Sequence, residues 1–259
     1  ACLSTGQAMD PRRVRNLLKK GFLMGSKLRE SLLIAECVPG GTTTAQAALM
    51  GLGMSVSDLI SGSVANPPVA IKKRLVESGL RAAKIGKMPS AEELLAAVGD
   101  PFQPVAVGLL LGARKAGQQV FLGGGCQMLA VLALALSELE ASSRESFVEG
   151  VVLGTTSWLF EEGFSAKDRK SALVNLIDVV EDFFNVELLG LSTGLRFDQS
   201  SHKPLKDYED GYIKEGVGAG AFALMAQLHG ISCKEIVNGC EKSLEDLQSV
   251  SNSYSCSSS

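Results

Sequence analysis

A carboxylate and a run of glycine and threonine residues come together after the first strongly apolar segment of this sequence. The run reads Glu36-Cys37-Val38-Pro39-Gly40-Gly41-Thr42-Thr43-Thr44. It follows apolar residues 31–35 and precedes an alanine-rich stretch at 45–52, so it is predicted to join the carboxyl end of a strand to a helix. Open α/β sheets bind ligands at this place, where glycines admit a phosphate and helix amides and hydroxyls donate to it. The lysine of a P-loop is absent, and a tight turn with ordinary threonine caps is the alternative interpretation.

A second glycine run, Gly123-Gly124-Gly125, follows a predicted strand at residues 119–122. The same argument makes it a candidate phosphate loop, although it has fewer polar neighbours than the first. Three glycines also suit close packing of a helix on a sheet, and this alternative stays open.

A third candidate places a carboxylate directly before glycines that open a helix of small residues. Glu215 precedes Gly216, Gly218 and Gly220. An acid near free helix amides is commonly a stabilised first-turn residue. The functional interpretation is a general base held beside a pocket for an anion or an aromatic ring.

Lysines and histidines add less to the chemistry. An Asn-Pro pair at 66–67 predicts the start of a helix that presents Lys72 or Lys73 to a phosphate. Adjacent lysines are also typical of a solvent-exposed face. His202 and His229 have no patterned serine, cysteine or aspartate partner, so no hydrolase triad is predicted.

Metal and cofactor sites are not predicted. The six cysteines show no CxxC spacing, and two histidines are too few to complete an ordinary zinc site. Scattered cysteines in a large apolar chain are typical of free thiols in a reducing compartment.

The elements that must position these loops alternate along the chain. Apolar runs near 31–35, 119–122, 151–153 and 186–189 predict strands. Helices are predicted between and after them, at 11–25, 45–52, 67–78, 101–116, 126–136, 166–184 and 216–228, with capping boxes at Ser90 and Ser232. This order predicts an α/β fold, a doubly wound, Rossmann-like and mostly parallel sheet flanked by helices.

Length and composition predict one domain at 1–248 and a disordered, serine-rich tail at 249–259. The 25 basic and 28 acidic residues leave a formal charge of −3, with no long block of either sign. Nucleic acid and membrane surfaces are therefore not expected partners, whereas small molecules are. No stretch resembles a spanning helix or a signal peptide, so a cytoplasmic protein is expected. The first residue is Ala1, and a preceding segment, including an organellar transit peptide, is compatible with this expectation.

Three segments together resemble the nicotinate-nucleotide:dimethylbenzimidazole phosphoribosyltransferase family, most closely its divergent archaeal and cyanobacterial branch. They are ECVPGGTTTAQAAL at 36–49, GGGCQMLAV at 123–131 and YEDGYIKEGVGAG at 208–220. Their order and approximate spacing match those of the bacterial motifs E-M-G-I-G-N-T-T and E-G-[ST]-G-A. The resemblance extends from about residue 4 to residue 230.

The resemblance implies transfer of phosphoribose from nicotinate mononucleotide to 5,6-dimethylbenzimidazole, with α-ribazole phosphate and nicotinate as products and without magnesium. It places Glu215 at the family's catalytic base. Glu36 would contact ribose or the acceptor, and a family lysine would correspond loosely to Lys72. The remaining substrate-binding candidates are the loop residues Gly40, Gly41, Thr42, Thr43, Gly123, Gly124, Gly216, Gly218 and Gly220. The family resemblance also implies a homodimer.

The departures from the family pattern leave two alternatives open. Gly41 stands where the bacterial motif has asparagine, Val217 stands where it has a hydroxyl residue, and no A-D-H-G segment is present. The chain is expected to be truncated at its N-terminus, or to use another acceptor base. The remaining alternative is a nucleotide-binding module without catalysis.

Overall fold

Four short segments form one parallel sheet whose strand order follows the chain. The computed structural model describes residues 1–60, 68–86, 89–162, 170–212 and 214–255, the last five of these by their backbone. The strands are β1 (Leu32–Ala35), β2 (Val120–Gly123), β3 (Val151–Thr156) and β4 (Leu189–Thr193), in the order β1-β2-β3-β4. The register places Ala35, Gly123, Gly154 and Leu191 side by side in one row.

Helices connect and flank the strands. A 3₁₀ turn, Leu3–Thr5, precedes α1 (Pro11–Gly25), and the helices that follow β1 are α2 (Gly41–Gly51), α3 (Val69–Ala83), α4 (Ala91–Val98) and α5 (Phe102–Lys115). The helices beyond β2 are α6 (Cys126–Ser137), α7 (Ala141–Val148), α8 (Ser157–Phe160), α9 (Ala172–Phe184), α10 (Lys203–Glu209), α11 (Ala219–Leu228) and α12 (Cys233–Ser255). None of the helices in the described ranges combines the length and apolar composition that crossing a bilayer requires.

Both faces of the sheet carry helices, which confirms the predicted α/β fold with a parallel sheet flanked by helices. On one face Leu122 and Leu153 belong to the main apolar core, together with α6, whose residues are buried from its first residue to Leu136. On the other face α11 lies against glycine positions of the strands. A Cβ atom at Gly154 would lie 2.9 Å from the Cβ of Ala221.

A second, smaller apolar cluster packs α10 and α12 beside α8. The rings of Trp158 and Phe197 stack with centroids 5.2 Å apart, and Tyr208 lies 5.0 Å from Trp158. Cys233 and Ile236 of α12 pack against this cluster. The hydroxyl of Thr156, at the carboxyl end of β3, donates to the carbonyl of Lys214 and ties the strand to the segment that precedes Glu215.

Local signals predicted most helix starts correctly. The Asp10 carboxylate accepts from the amides of Arg12 and Arg13 at the start of α1. Ser90 forms the predicted capping box with Glu93, and Ser232 binds Glu235 in the same way.

Several boundaries differ from the sequence prediction. β3 continues to Thr156 rather than 153, α3 continues to Ala83 rather than 78, and α9 and α11 begin at Ala172 and Ala219 rather than 166 and 216. Helix α2 begins at Gly41, so the three threonines lie inside its first turn. Strand β4 begins at Leu189 rather than 186, because 186–188 close α9: the amide of Leu188 donates to Glu181, and Asn185 is left-handed with φ 53°. Helix α12 continues to Ser255, into the segment predicted to be a disordered tail. The predicted caps at 66–67, the helix residues 166–169 and the tail residues 256–259 lie outside the described residues.

Candidate active site

Glu215 is held at the carboxyl end of β3, between this strand and the start of α11. Its carboxylate accepts from the backbone amide of Thr156 at 2.9 Å and from that of Gly220 at 3.3 Å. The hydroxyl of Thr155 donates to it at 3.3 Å. A carboxylate fixed by donors from two elements has one orientation, which a positioned base requires.

Burial raises the pKa of Glu215 to about 7, against the lowering effect of hydrogen bonds from Gly220, Thr156, Thr155 and Gly216. Desolvation disfavours the charged form, and here it outweighs the donors. A carboxyl group with a pKa near 7 is poised to accept a proton at neutral pH and to release it afterwards.

The loop before α11 bends over the end of β1. The amide of Val217 donates to the carbonyl of Glu36 at 3.1 Å, which ties the first and third candidate segments together. Val217 and Gly218 both adopt left-handed backbone conformations, with φ 47° and 76°. Gly218 has a further reason to be glycine, because a Cβ there would lie 2.7 Å from the Cβ of Ala35.

The three candidate segments together line one cleft with an empty volume of about 530 Å³, including space open to solvent. Its walls come from the ends of β1 and β2, the starts of α2 and α6, and the loop that carries Glu215. The lining residues are Glu36, Thr42, Gly123, Gly124, Gly125, Cys126, Gln127, Met128, Leu159, Lys214, Glu215, Gly216, Val217 and Gly218.

The first loop places a second carboxylate in this cleft. Glu36 accepts a hydrogen bond from the amide of Val38, and burial raises the pKa of Glu36, with the charge of Asp100 adding to the rise. Gly40 is the N-cap of α2 with φ 78°, and a Cβ at this position would meet no atom within 4 Å. The amides of Gly41 and Thr43 donate to the carbonyls of Val38 and Gly40.

Beneath the first loop lies a buried polar network centred on Asp100. Its carboxylate caps α5 at the amides of Phe102 and Gln103 and accepts from the hydroxyl of Thr44 and the amide group of Gln127. Gln127 in turn accepts from the side chain of Gln103 at 3.1 Å. The network joins the starts of α2, α5 and α6, and Gln127 carries it to the cleft.

The second loop fits tightly between the sheet and the helices. A Cβ at Gly123 would lie 3.0 Å from the Cα of Gly218, and one at Gly125 would lie 2.5 Å from Leu159. Gly124 has φ 155°, a conformation that suits glycine. The thiol of Cys126 is buried, which raises its pKa to about 12, so it is not an activated nucleophile.

The structure brings most of the predicted site residues together. Glu36, Thr42, Gly123, Gly124, Glu215, Gly216 and Gly218 line the cleft. The predicted residues outside its lining are Gly40, Gly41, Thr43, Lys72 and Gly220. Gly220 donates its amide to Glu215 and packs against β3, and Gly40 and Gly41 shape the start of α2.

Several residues of the site escaped the sequence prediction. Thr155 and Thr156, which hold Glu215, end β3 but lie just beyond the strand predicted at 151–153. The rule that ligands bind at the carboxyl ends of parallel strands points to this position. Gln127 lay within a motif segment but carried no assigned role. Lys214 precedes Glu215 directly, and only the structure shows that its side chain is buried and lines the cleft.

No family profile matches this chain. Curated relatives are UPF0284 proteins. The chain is 58% identical to the one from Prochlorococcus marinus strain MIT 9313 over 251 residues, 97% of this chain and 62% of that protein. It is 52% identical to the one from Parasynechococcus marenigrum strain WH8102 over 95% of this chain and 61% of that protein. The chain thus spans about 60% of the length of these relatives.

Solved structures with the same fold include CobT from Thermus thermophilus, at a TM-score of 0.58 and 18% identity over 91% of this chain and 60% of that chain. A second structure is described as nicotinate-nucleotide-dimethylbenzimidazole phosphoribosyltransferase from the same organism. Its TM-score is 0.57 and its sequence identity is 16%, over 92% of this chain and 59% of that chain. The resemblance predicted from the motifs is confirmed: the relatives are cyanobacterial UPF0284 proteins, and the fold is that of the phosphoribosyltransferase CobT.

Proposed function

We propose that this chain carries the active site of a phosphoribosyltransferase that uses nicotinate mononucleotide and a benzimidazole-type base. The observation that carries the proposal is Glu215, a carboxylate in the cleft lining that Thr156 and Gly220 orient and whose pKa is raised to about 7. The CobT fold and the three motif segments support the same reaction.

In the proposed reaction a ring nitrogen of the acceptor attacks C1′ of the ribose with its lone pair. The bond from C1′ to the pyridine nitrogen breaks, and its electron pair neutralises the pyridinium ring, so nicotinate leaves without protonation. The proton on the acceptor's other nitrogen passes to the Glu215 carboxylate. Attack from the face opposite the leaving group inverts the configuration at C1′.

The cleft offers groups for both substrates. Glu36, with its raised pKa, faces the same space as Glu215 and is placed to accept a hydrogen bond from ribose or from the acceptor. Thr42 and the glycines of the second loop expose polar groups and backbone to a phosphate or sugar. In this proposal the partners are small molecules, and the protein acts as a homodimer.

A different acceptor base is the second candidate, and Val217 favours it. This residue is 58% exposed and lines the cleft where the bacterial motif has a hydroxyl residue. An apolar side chain there changes which ring substituents the cleft accepts, without changing the role of Glu215.

The test is calorimetric titration with nicotinate mononucleotide, followed by addition of 5,6-dimethylbenzimidazole and chromatographic detection of nicotinate. The Glu215→Gln variant serves as the matched control. Binding followed by nicotinate release that depends on Glu215 supports the proposal. Binding without release, with this acceptor and with a panel of azole and purine bases, would identify a nucleotide-binding module instead. No binding by a folded protein would refute the proposed substrate.

A further inference from the structure

We propose that Lys214 is a phosphate-binding residue of this cleft and fixes the phosphorylated end of the donor. The inference rests on the proposed function and extends it to a residue that the sequence motifs did not single out. Lys214 precedes Glu215 directly, its residue exposure is 8%, and it lines the cleft. An ammonium group is thus buried in the wall of the cavity that the base serves.

The position of Lys214 is fixed from two sides. Its backbone carbonyl accepts a hydrogen bond from the hydroxyl of Thr156, at the end of β3. Its ammonium lies 2.6 Å from the carboxylate of Glu162, and the two side chains are 10% and 20% exposed. Burying a lysine is costly unless its charge is compensated, and here the carboxylate of Glu162 compensates the charge of Lys214.

A second buried lysine interacts electrostatically with the first. Lys72, on α3, is 9% exposed although it comes from a distant part of the sequence. Burial lowers its pKa and the charge of Lys214 lowers it further, whereas Cys126 and Glu162 act in the opposite direction. Lys72 therefore interacts electrostatically with the Lys214–Glu162 pair, although Lys72 lies outside the cleft lining.

This combination fits a phosphate monoester. Lys214 supplies a charge and donors in the cleft wall, and Lys72 adds positive charge from outside the lining. The twelve-residue α6 begins at the cleft-lining Cys126 and adds a positive helix end. The carboxylate of Glu215 is directed instead to Thr156 and Gly220. Lys214 and Glu215 therefore bind different partners, and the phosphate of a nucleotide and its reacting C1′ need such separate groups.

The test compares ligands that differ in one charged group. Affinities of the wild-type chain and of Lys214→Met are measured by calorimetry for nicotinate mononucleotide, ribose 5-phosphate and nicotinate riboside, the last of which keeps the carboxylate and lacks the phosphate. Loss of one charge-assisted contact to phosphate is expected to lower the affinities for nicotinate mononucleotide and ribose 5-phosphate about 10- to 100-fold. The affinity for nicotinate riboside is expected to stay within about twofold.

Lys73→Met is the matched control. Lys73 is the exposed neighbour of Lys72 on α3, and removing its charge is expected to leave all three affinities unchanged. If Lys214→Met does not fold because it leaves Glu162 buried without its ammonium, the double variant Lys214→Met, Glu162→Met removes both charges. It is expected to show the same phosphate-selective loss.

Equal weakening of nicotinate riboside and nicotinate mononucleotide would overturn the proposal, because it would indicate a contact to the nicotinate carboxylate or a general distortion. Unchanged affinity for ribose 5-phosphate, or no binding of it by the folded wild-type chain, would also overturn it. If Lys214→Met loses affinity only for the phosphorylated ligands while the wild-type chain releases no nicotinate, the phosphate site is supported and the transferase function is refuted. The experiment therefore distinguishes failure of this proposal from failure of the proposed function.

Discussion

The carboxylate of Glu215 accepts a hydrogen bond from the backbone amide of Thr156 at 2.9 Å, which joins the candidate base to the last residue of β3. The two residues are far apart in sequence. Their contact places the base at the edge of the sheet where the three glycine-containing loops meet.

Replacement of Glu215 by glutamine is expected to reduce turnover by ~10²-fold or more, the usual scale for losing a positioned base. Glutamine keeps the size of the side chain and an oxygen that can accept from Thr156, so the affinity for nicotinate mononucleotide should change little. Single-turnover nicotinate release and calorimetry measure the two quantities separately. Glu77→Gln, on the exposed side of α3, is the matched control. Equal losses of affinity and turnover would contradict a purely catalytic role.

The pH dependence of kcat/KM should follow the ionisation of Glu215. Its pKa is raised to about 7 by burial, so the carboxylate that accepts the proton predominates only above this pH. We expect kcat/KM to fall about tenfold per unit as the pH decreases below 7 and to level off above it. The measurement is a rate profile from pH 5.5 to 8.5, with circular dichroism to show that the protein stays folded. A flat profile would exclude Glu215 as the titrating base.

Local signals in the sequence were sufficient for most of the scaffold. The cap at Asp10 and the boxes at Ser90 and Ser232 depend on residues within one helical turn, and short apolar runs locate strands buried on both faces. Strand β4 was misplaced because Leu189 and Leu191 alternate with glycine and serine at a half-exposed edge, so the run was weakly apolar. The start of α2 was missed because Asp100, distant in sequence, binds the Thr44 hydroxyl inside its first turn.

The sequence predicted the candidate site only where a glycine-containing loop follows a strand, an arrangement that occurs more than once in the chain. This arrangement predicted that Glu36, Gly123 and Glu215 lie at one edge of the sheet. It could not show that the amide of Gly220 is used by Glu215, or that Lys214 is buried in the cleft wall. Both facts depend on how α11 and the loop before it fold over β3, and periodicity carries no information about that arrangement.

Gly40 should be replaceable without collapse of the fold, but not without loss of nucleotide affinity. Its φ of 78° is tolerated by asparagine better than by a β-branched residue, and a Cβ there meets no protein atom within 4 Å. We expect Gly40→Asn to fold normally and Gly40→Val to be less stable. Both variants should have a lower affinity for nicotinate mononucleotide, because a side chain at the start of α2 obstructs the approach of a phosphate.

Calorimetry and thermal melting separate the two effects at Gly40. Gly117 is the control position, since its φ is 77° and a Cβ at this position would also meet no atom within 4 Å. It precedes the amino end of β2, whereas Gly40 lies two residues before Thr42 of the cleft lining. Gly117→Val should lose stability and keep nucleotide affinity. Unchanged affinity of folded Gly40→Asn for nicotinate mononucleotide would show that the phosphate does not bind at the first loop.

Gly220→Ala should be destabilising, although alanine is the better helix former and α11 is a helix of small residues. A Cβ at this position would lie 2.0 Å from the carbonyl carbon of Thr155, so the helix must move away from β3. Such overpacking costs about 1–3 kcal/mol. The displacement would also lengthen the contact of the Gly220 amide with Glu215, so turnover should fall together with the melting temperature. Gly239→Ala, in α12 with no atom within 4 Å, is the control and should be stabilising by up to about 1 kcal/mol. Similar stability changes at the two positions, measured by urea unfolding, would show that α11 does not pack this closely on the sheet.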